Sequence, residues 1–245
     1  MQASALILAA GAGTRMKSSK PKVAHEILGK PLVRWVVDAA HSAGSIVGHG
    51  RDQVEPLLSD TTMVVQEEQL GTAHAVLVAR EALAGKSGSL VVLTGDSPLV
   101  RPSTIEDLVR TREENNAAVV VLTMEASDPF GYGRIVRDDA GDVVEIVEQK
   151  DCTPEQATIT ECNSGFYCFD IELLFSALEE VSTDNAQGEY YLTDVLGIAR
   201  KRGQRVLAFK AEDPTECLGV NSRIQLAQAT RILQQRINEA HMAAG

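Results

Sequence analysis

Apolar runs too short for a membrane helix but long enough for a strand recur at residues 3–10, 63–66, 90–94 and 117–124, alternating with amphipathic stretches at 31–43, 72–83, 103–114 and 171–181. That alternation predicts a β/α chain with a mostly parallel sheet. Ser89-Leu-Val-Val-Leu-Thr94 is apolar at consecutive positions, the pattern of a strand covered by helices on both faces. The expected fold class is therefore α/β: a Rossmann-like, mostly parallel sheet flanked by helices, with substrates bound at the carboxyl ends of the strands.

Past residue 130 the pattern changes. Strands are expected at 134–137, 142–148 and 160–170, the first two divided by the turn Asp138-Asp-Ala-Gly141, which predicts a smaller and more antiparallel lobe. From Asn221 onward, Leu226, Ala229, Leu233 and Ile237 recur at spacings of three and four, so the C-terminal stretch reads as an amphipathic helix. One place disturbs the scheme: only Ser45-Ile-Val47 separates the helix ending near Gly44 from Gly48-His-Gly50. Three residues make either a stunted strand or a unit from which part of a loop and strand is missing.

The chain of 245 residues is long enough for one large domain, and its net charge of -11 argues against a general nucleic-acid binder. The charge is uneven, however. Residues 1–30 hold Arg15, Lys17, Lys20, Lys22 and Lys30 against the single acid Glu26, a local +4 that leaves -15 for the remainder. Cys152, Cys162, Cys168 and Cys217 show no metal-ligand spacing and read as free thiols. No apolar run reaches the roughly 20 residues of a membrane helix, and residues 3–10 lack the basic flank of a signal peptide. The expectation is a cytoplasmic protein without membrane insertion.

The strongest local motif is Leu8-Ala-Ala-Gly-Ala-Gly-Thr-Arg-Met-Lys17, a strand running into a loop of small residues that lets backbone N–H groups approach phosphate oxygens, with Arg15 adding a forked donor. It is neither a Walker A loop nor a dinucleotide fingerprint, since Gly11-x-Gly13-x-x-Met16 lacks the third glycine. Proline in Lys20-Pro-Lys22 stiffens the chain and helps aim Lys22 at a phosphoryl group, while Lys17 and Lys20 read as solvated charges. Asp96, in Gly95-Asp96-Ser97-Pro98, follows a buried strand and reads as a ligand for a divalent metal beside the phosphates or as a turn aspartate. His25, His49 and His74 read as packing or loop polarity.

These motifs resemble the signature of the sugar-phosphate nucleotidyltransferases. Further matches are Gln66-Glu-Glu-Gln-Leu-Gly-Thr-Ala-His-Ala75, Asp128-Pro-Phe-Gly-Tyr-Gly-Arg-Ile135, Glu148-Gln-Lys-Asp151, Asn163-Ser-Gly165, Asn185-Ala-Gln-Gly-Glu-Tyr-Tyr-Leu-Thr-Asp194 and Gly219-Val-Asn-Ser-Arg223. Together, over about residues 4–241, they resemble the uridyltransferase domain of the bacterial bifunctional N-acetylglucosamine-1-phosphate uridyltransferase/glucosamine-1-phosphate acetyltransferases. The resemblance implies a GT-A-like nucleotidyltransferase domain over 1–225. It further implies transfer of UMP from UTP to N-acetylglucosamine-1-phosphate for cell-wall precursor synthesis, giving UDP-N-acetylglucosamine and pyrophosphate. Carried over residue by residue, it implies that Leu8, Ala9, Ala10, Gly11, Gln66, Gly71 and Thr72 hold the uridine and that Thr94 and Gly95 border the site. It places Gly133, Glu148, Asn163 and Tyr190 around the acetylated sugar, Asp96 and Asn221 on Mg2+, and Arg15, Lys22 and Asp96 at the chemistry.

The sequence departs from the common family pattern at Thr94, where many members have tyrosine, and at Ala73, where many have glycine. Full-length members continue past a helix, here 226–245, into a left-handed β-helix that performs acetyl transfer and forms homotrimers. The sequence ends at Gly245 without hexapeptide repeats, so no acetyltransferase activity is expected of it. The alternatives are a nucleotidyltransferase for glucose-1-phosphate or dTTP, and a non-catalytic module that binds a sugar nucleotide.

Overall fold

The computed structural model describes residues 3–9, 13–41, 46–48 (backbone alone) and 54–245. Strands β1 (Ala3–Leu8) and β6 (Ser89–Thr94) form its centre, each buried along its first five residues. Their consecutive apolar residues feed two cores. Ala5, Ile7, Val91 and Leu93 face one side, packing with Val33, Val36 and Val37 of α1 (Leu32–Ala40) and Ile105, Leu108 and Val109 of α3 (Pro102–Asn115). Leu6, Leu90 and Val92 face the other, with Val76 of α2 (Thr72–Leu77), Leu174 of α4 (Ile171–Leu178) and Val195 and Leu196 of α5 (Asp194–Lys201). The expected three-layer α/β arrangement follows from this double burial.

The sheet also contains β4 (Ile46–Gly48), β5 (Thr62–Met63), β7 (Val119–Glu125), β10 (Glu161–Asp170) and β11 (Val206–Lys210), in the order β11-β7-β10-β6-β1-β4-β5, while β2 (Glu26–Ile27) and β3 (Lys30–Pro31) form a separate antiparallel pair. β10 runs antiparallel to both β6 and β7, whereas β1–β6, β1–β4, β4–β5 and β7–β11 are parallel pairs. The sheet is thus mixed, with one reversed strand at its middle. The stretch around Ser45-Ile-Val47 does enter the sheet, as the three-residue β4, which pairs with β1 and β5. Residues 42–45, His49 and Gly50 lie outside the described residues.

The antiparallel lobe is an extension of the same sheet. The register of β10 on β7 shifts between Asn163 and Tyr167, around Gly165 at φ 82. Beyond that bulge, Cys162 pairs with Arg134 of β8 (Arg134–Arg137), which forms a hairpin with β9 (Val143–Val147). Several boundaries differ from the sequence pattern. The strand expected at 63–66 is β5 alone, leaving Gln66 in the following loop, and the helix expected over 72–83 stops at Leu77, before a 3-10 turn at Glu81–Leu83.

The C-terminal helix α6 (Arg223–Ala244) buries Ala229 and Leu233 in a third cluster with Ile27, Leu32, Leu99 and Val220. Its N-cap is Ser222, whose hydroxyl accepts the Gln225 N–H at 3.2 Å. All four cysteines are unpaired, and no helix among the described residues is long and apolar enough to cross a membrane.

The reversed strand carries much of the core: Phe169 is fully buried, its ring stacked on Tyr167 with centroids 5.4 Å apart. Phe169→Ala is expected to lower unfolding stability by about 3–5 kcal/mol in urea titration, through lost burial and the cavity left in the core between the sheet and α4 and α5.

Candidate active site

Parallel register sets the centre of the site. Leu8 pairs with Thr94, so Ala9 and Gly95-Asp96 leave the sheet side by side, and the Gly95 N–H donates to the Leu8 carbonyl at 2.9 Å. The loop after β1 turns through Gly13, at φ 61, where a Cβ atom would stand 2.5 Å from the Cβ of Lys22. Glycine at this position lets Lys22 fold back over the loop. The Lys22 ammonium donates to Asp96 Oδ2 and to Asn221 Oδ1, the latter at 2.9 Å. The Val220 N–H donates to the Asp96 carbonyl at 2.8 Å, which holds the 219–221 segment against the end of β6. Residues from positions 22, 96 and 221 thereby meet at one point.

Arg15 lies in the 3-10 turn Thr14–Met16 and is exposed, making no hydrogen bond or ion pair with the described residues. Lys20 is exposed and paired with Glu26 at 3.1 Å. Ala10 and Gly11 of the expected uridine contacts lie outside the described residues.

A cavity of about 230 Å³ opens beside the end of β1, lined by Leu8, Gln66, Gln69, Gly71, Thr72, Ala75 and Glu189. Gln66 is 6% exposed; its Nε2 donates to the Gly71 carbonyl at 3.2 Å and lies 2.9 Å from His74 Nδ1. Gly71 takes φ 116, and a Cβ atom there would stand 2.5 Å from the Tyr190 carbonyl oxygen. That close approach docks the 190–192 segment: the Tyr190 N–H donates to the Leu70 carbonyl and the Leu192 N–H to Thr72 Oγ1, at 2.8 and 3.0 Å. Tyr190 thus serves this wall through its backbone, and no described contact joins it to the expected sugar residues.

Those residues do converge. The Asn163 N–H donates to the Gly133 carbonyl at 2.9 Å, and a Cβ on Gly133 would stand 3.4 Å from both Asn163 Cβ and Glu148 Oε1. The Asn163 side chain is locked, donating to the Tyr167 hydroxyl at 2.7 Å and accepting the Gly165 N–H at 3.0 Å. Burial pushes the Glu148 carboxyl above the usual carboxylate range; Asp151 and Asp194 push it the same way, while the nearby Thr193 hydroxyl acts against them. Burial and Asp151 raise Asp194 too. Tyr191 donates weakly to Asp151 Oδ2 at 3.5 Å and accepts from Gln187 Nε2 at 2.7 Å. Thr193, Asp194 and Tyr191 were not singled out in the sequence, although the quoted motif ending at Asp194 contains them.

β6 lies between β1, which borders the cavity at Gln66, and β10, which supplies Asn163. A point bearing an ammonium, a carboxylate and an amide oxygen therefore stands on the strand between the cavity at Gln66 and the cluster of Gly133, Glu148 and Asn163.

Comparison with known proteins identifies the fold and the family. The chain is 53% identical over 251 aligned residues to the bifunctional protein GlmU of Lactobacillus delbrueckii subsp. bulgaricus, covering 100% of this chain and 54% of the relative. It is 52% identical to that of Halalkalibacterium halodurans, covering 98% of this chain and 54% of the relative, and 51% identical to that of Listeria monocytogenes serotype 4b, with the same coverage. These similarities bear out the resemblance read from the motifs, and the chain spans about half the length of the curated relatives it matches. A crystal structure of UDP-glucose pyrophosphorylase complexed with UDP-glucose shares the fold, with TM-score 0.74 at 22% identity, covering 96% of this chain and all of the other. The family model that matches residues 5–167, from within β1 into β10, places this chain in the MobA-like NTP transferase domain family.

Proposed function

We propose that this domain transfers UMP from UTP to N-acetylglucosamine-1-phosphate, forming UDP-N-acetylglucosamine and releasing pyrophosphate. The observation that carries this reading is the meeting of Lys22, Asp96 and Asn221 at the end of β6, between the cavity at Gln66 and the cluster of Gly133, Glu148 and Asn163. Gln66 and the backbone at Gly71 offer amide donors and acceptors to a pyrimidine edge. Glu148 accepts hydrogen bonds from sugar hydroxyls, and Asn163 with Thr193 completes the polar wall.

In the reaction a phosphate oxygen of the sugar phosphate attacks the α-phosphorus of UTP. The new O–P bond forms as the bond from the α-phosphorus to the bridging oxygen breaks, and pyrophosphate leaves with that electron pair. The attacking phosphate is already ionised near neutral pH, so no general base is required. The histidines fit this: His74 is engaged with Gln66, and burial, together with the charge of Lys20, lowers the pKa of His25. Lys22 exchanges its carboxylate partner for phosphate oxygens and neutralises their charge, with Arg15, exposed in the turn before it, free to do the same.

The donor set fits magnesium. One carboxylate and one amide oxygen, both hard ligands, already converge on a single cation, the Lys22 ammonium. Mg2+ held by Asp96 and Asn221 supplies further charge neutralisation on the phosphate oxygens when bound.

Pyrophosphate release is expected with UTP and N-acetylglucosamine-1-phosphate in the presence of Mg2+, and to be far slower with dTTP or glucose-1-phosphate. Binding of the sugar nucleotide with no pyrophosphate from any pair would replace this reading with a non-catalytic one. Lys22→Ala is expected to lower kcat by about a hundredfold or more, as loss of a preorganised charge contact does. Near-normal turnover would remove Lys22 from the chemistry.

Glu148 links function to stability with a definite sign. Because burial raises its folded-state pKa, the fold is favoured while the carboxyl is protonated, and that advantage is lost as pH rises through the raised pKa. Glu148→Gln is therefore expected to raise the thermal midpoint at neutral pH while raising KM for the sugar phosphate about tenfold, as loss of a charged hydrogen-bond acceptor does. In the unsubstituted domain KM for the sugar phosphate should begin to rise at a higher pH, on acidification, than an ordinary carboxylate dictates.

A further inference from the structure

Arg223, in the first turn of α6, has no part in the chemistry above, yet it is bound to the phosphate loop more than two hundred residues away. Its Nε donates to the Met16 carbonyl at 3.1 Å and its Nη2 to the Lys17 carbonyl at 3.3 Å. These carbonyls end the turn that carries Arg15. Lys17 takes φ 48, a left-handed conformation that a residue with a side chain adopts at a cost, and its N–H closes the turn on the Thr14 carbonyl at 3.1 Å. A strained turn is thus held at its exit by a charged, forked donor.

The same short segment grips the loop a second time, since Asn221 accepts from Lys22. The grip rests on a firm base. The Asn221 N–H donates to Gln225 Oε1 at 2.9 Å, Ser222 caps the helix, and Ala229 and Leu233 anchor it in the third cluster. On the other side of the grip Met16 is fully buried, whereas Arg15, one residue before it, is exposed and without a partner among the described residues. The path of the turn therefore sets where the Arg15 guanidinium starts from.

We infer that Arg223 is a positioning residue for the triphosphate: by holding the Met16 and Lys17 carbonyls it sets the turn from which Arg15 reaches the phosphates, and the span between Arg15 and Lys22. This inference rests on the proposed transfer from UTP. Arg223 touches carbonyls rather than substrate, so what matters is its hydrogen bonds and not its charge alone.

Two substitutions separate those properties. Arg223→Met removes donors and charge; Arg223→Gln removes the charge and keeps an amide that can reach a carbonyl. Arg223 is a surface residue, so the thermal midpoint should move by no more than about 2 °C in either variant. Hydrogen exchange over residues 14–17 of the free protein is expected to quicken about tenfold in Arg223→Met and to recover in part in Arg223→Gln. In pyrophosphate-release assays Arg223→Met should raise KM for UTP about fivefold or more and leave KM for the sugar phosphate within about twofold, with Arg223→Gln recovering part of the loss. In an Arg15→Met background the effect of Arg223→Met should largely vanish, because the two act as one unit.

Equal losses in the two Arg223 variants, losses that add to those of Arg15→Met, or an unchanged KM for UTP would each overturn the positioning role. If the unsubstituted domain turns over no UTP while the exchange difference persists, the transfer reading falls, and with it the role of Arg223 toward a triphosphate, but the clamp on the loop stands.

Discussion

The site depends on the parallel pairing of β1 with β6 and on the burial that fixes its register. Each strand sends side chains into two different cores, so a slip by one residue would exchange the sets facing α1 and α3 for those facing α2, α4 and α5. With the register locked, Leu8 stands opposite Thr94, and the small-residue loop and Asp96 emerge from neighbouring strand ends. Everything assembled there, from Gly13 under Lys22 to the 219–221 segment on the Asp96 carbonyl, is built outward from that pairing.

Charge is sorted across the sheet in the same way. The protein carries a net -11, yet its first thirty residues are basic, and two of those bases belong to the loop beside Asp96. On the far side of β6, Glu148 and Asp194 lie near Asp151, and burial already disfavours ionisation of the first two. Under the proposed reaction this separates the two ends of the sugar phosphate: the phosphate is drawn to the cations, and hydroxyl donors meet carboxylate acceptors. Burying these carboxyls lowers stability as pH rises through their raised pKa values.

The motifs made much of the site legible before any coordinates. Strand-to-loop transitions at Leu8 and Thr94, and the amide-bearing stretch at Gln66, all lie where local pattern placed them or close by. Side-chain partners are not legible in the same way, because they depend on tertiary contact. Ser222 caps α6, which leaves the Asn221 amide to Lys22. Tyr190 and Tyr191 are adjacent and chemically alike, and only the fold shows the first giving its backbone to Gly71 and the second its hydroxyl to the neighbourhood of Asp151.

Residue periodicity, glycine placement and contiguous motifs were enough to identify the α/β class, most strands and helices near the site, the small-residue loop after β1 and the family. Long-range packing was needed to show that β10 runs backwards through the middle of the sheet, that the antiparallel lobe is its continuation, and that the 221–223 segment grips the loop after β1 through Asn221 and Arg223. The physical reason is range. Hydrophobic period and turn chemistry act over a few residues, whereas a hydrogen bond from position 223 to position 16 exists only after both cores have packed and brought the ends of the chain together.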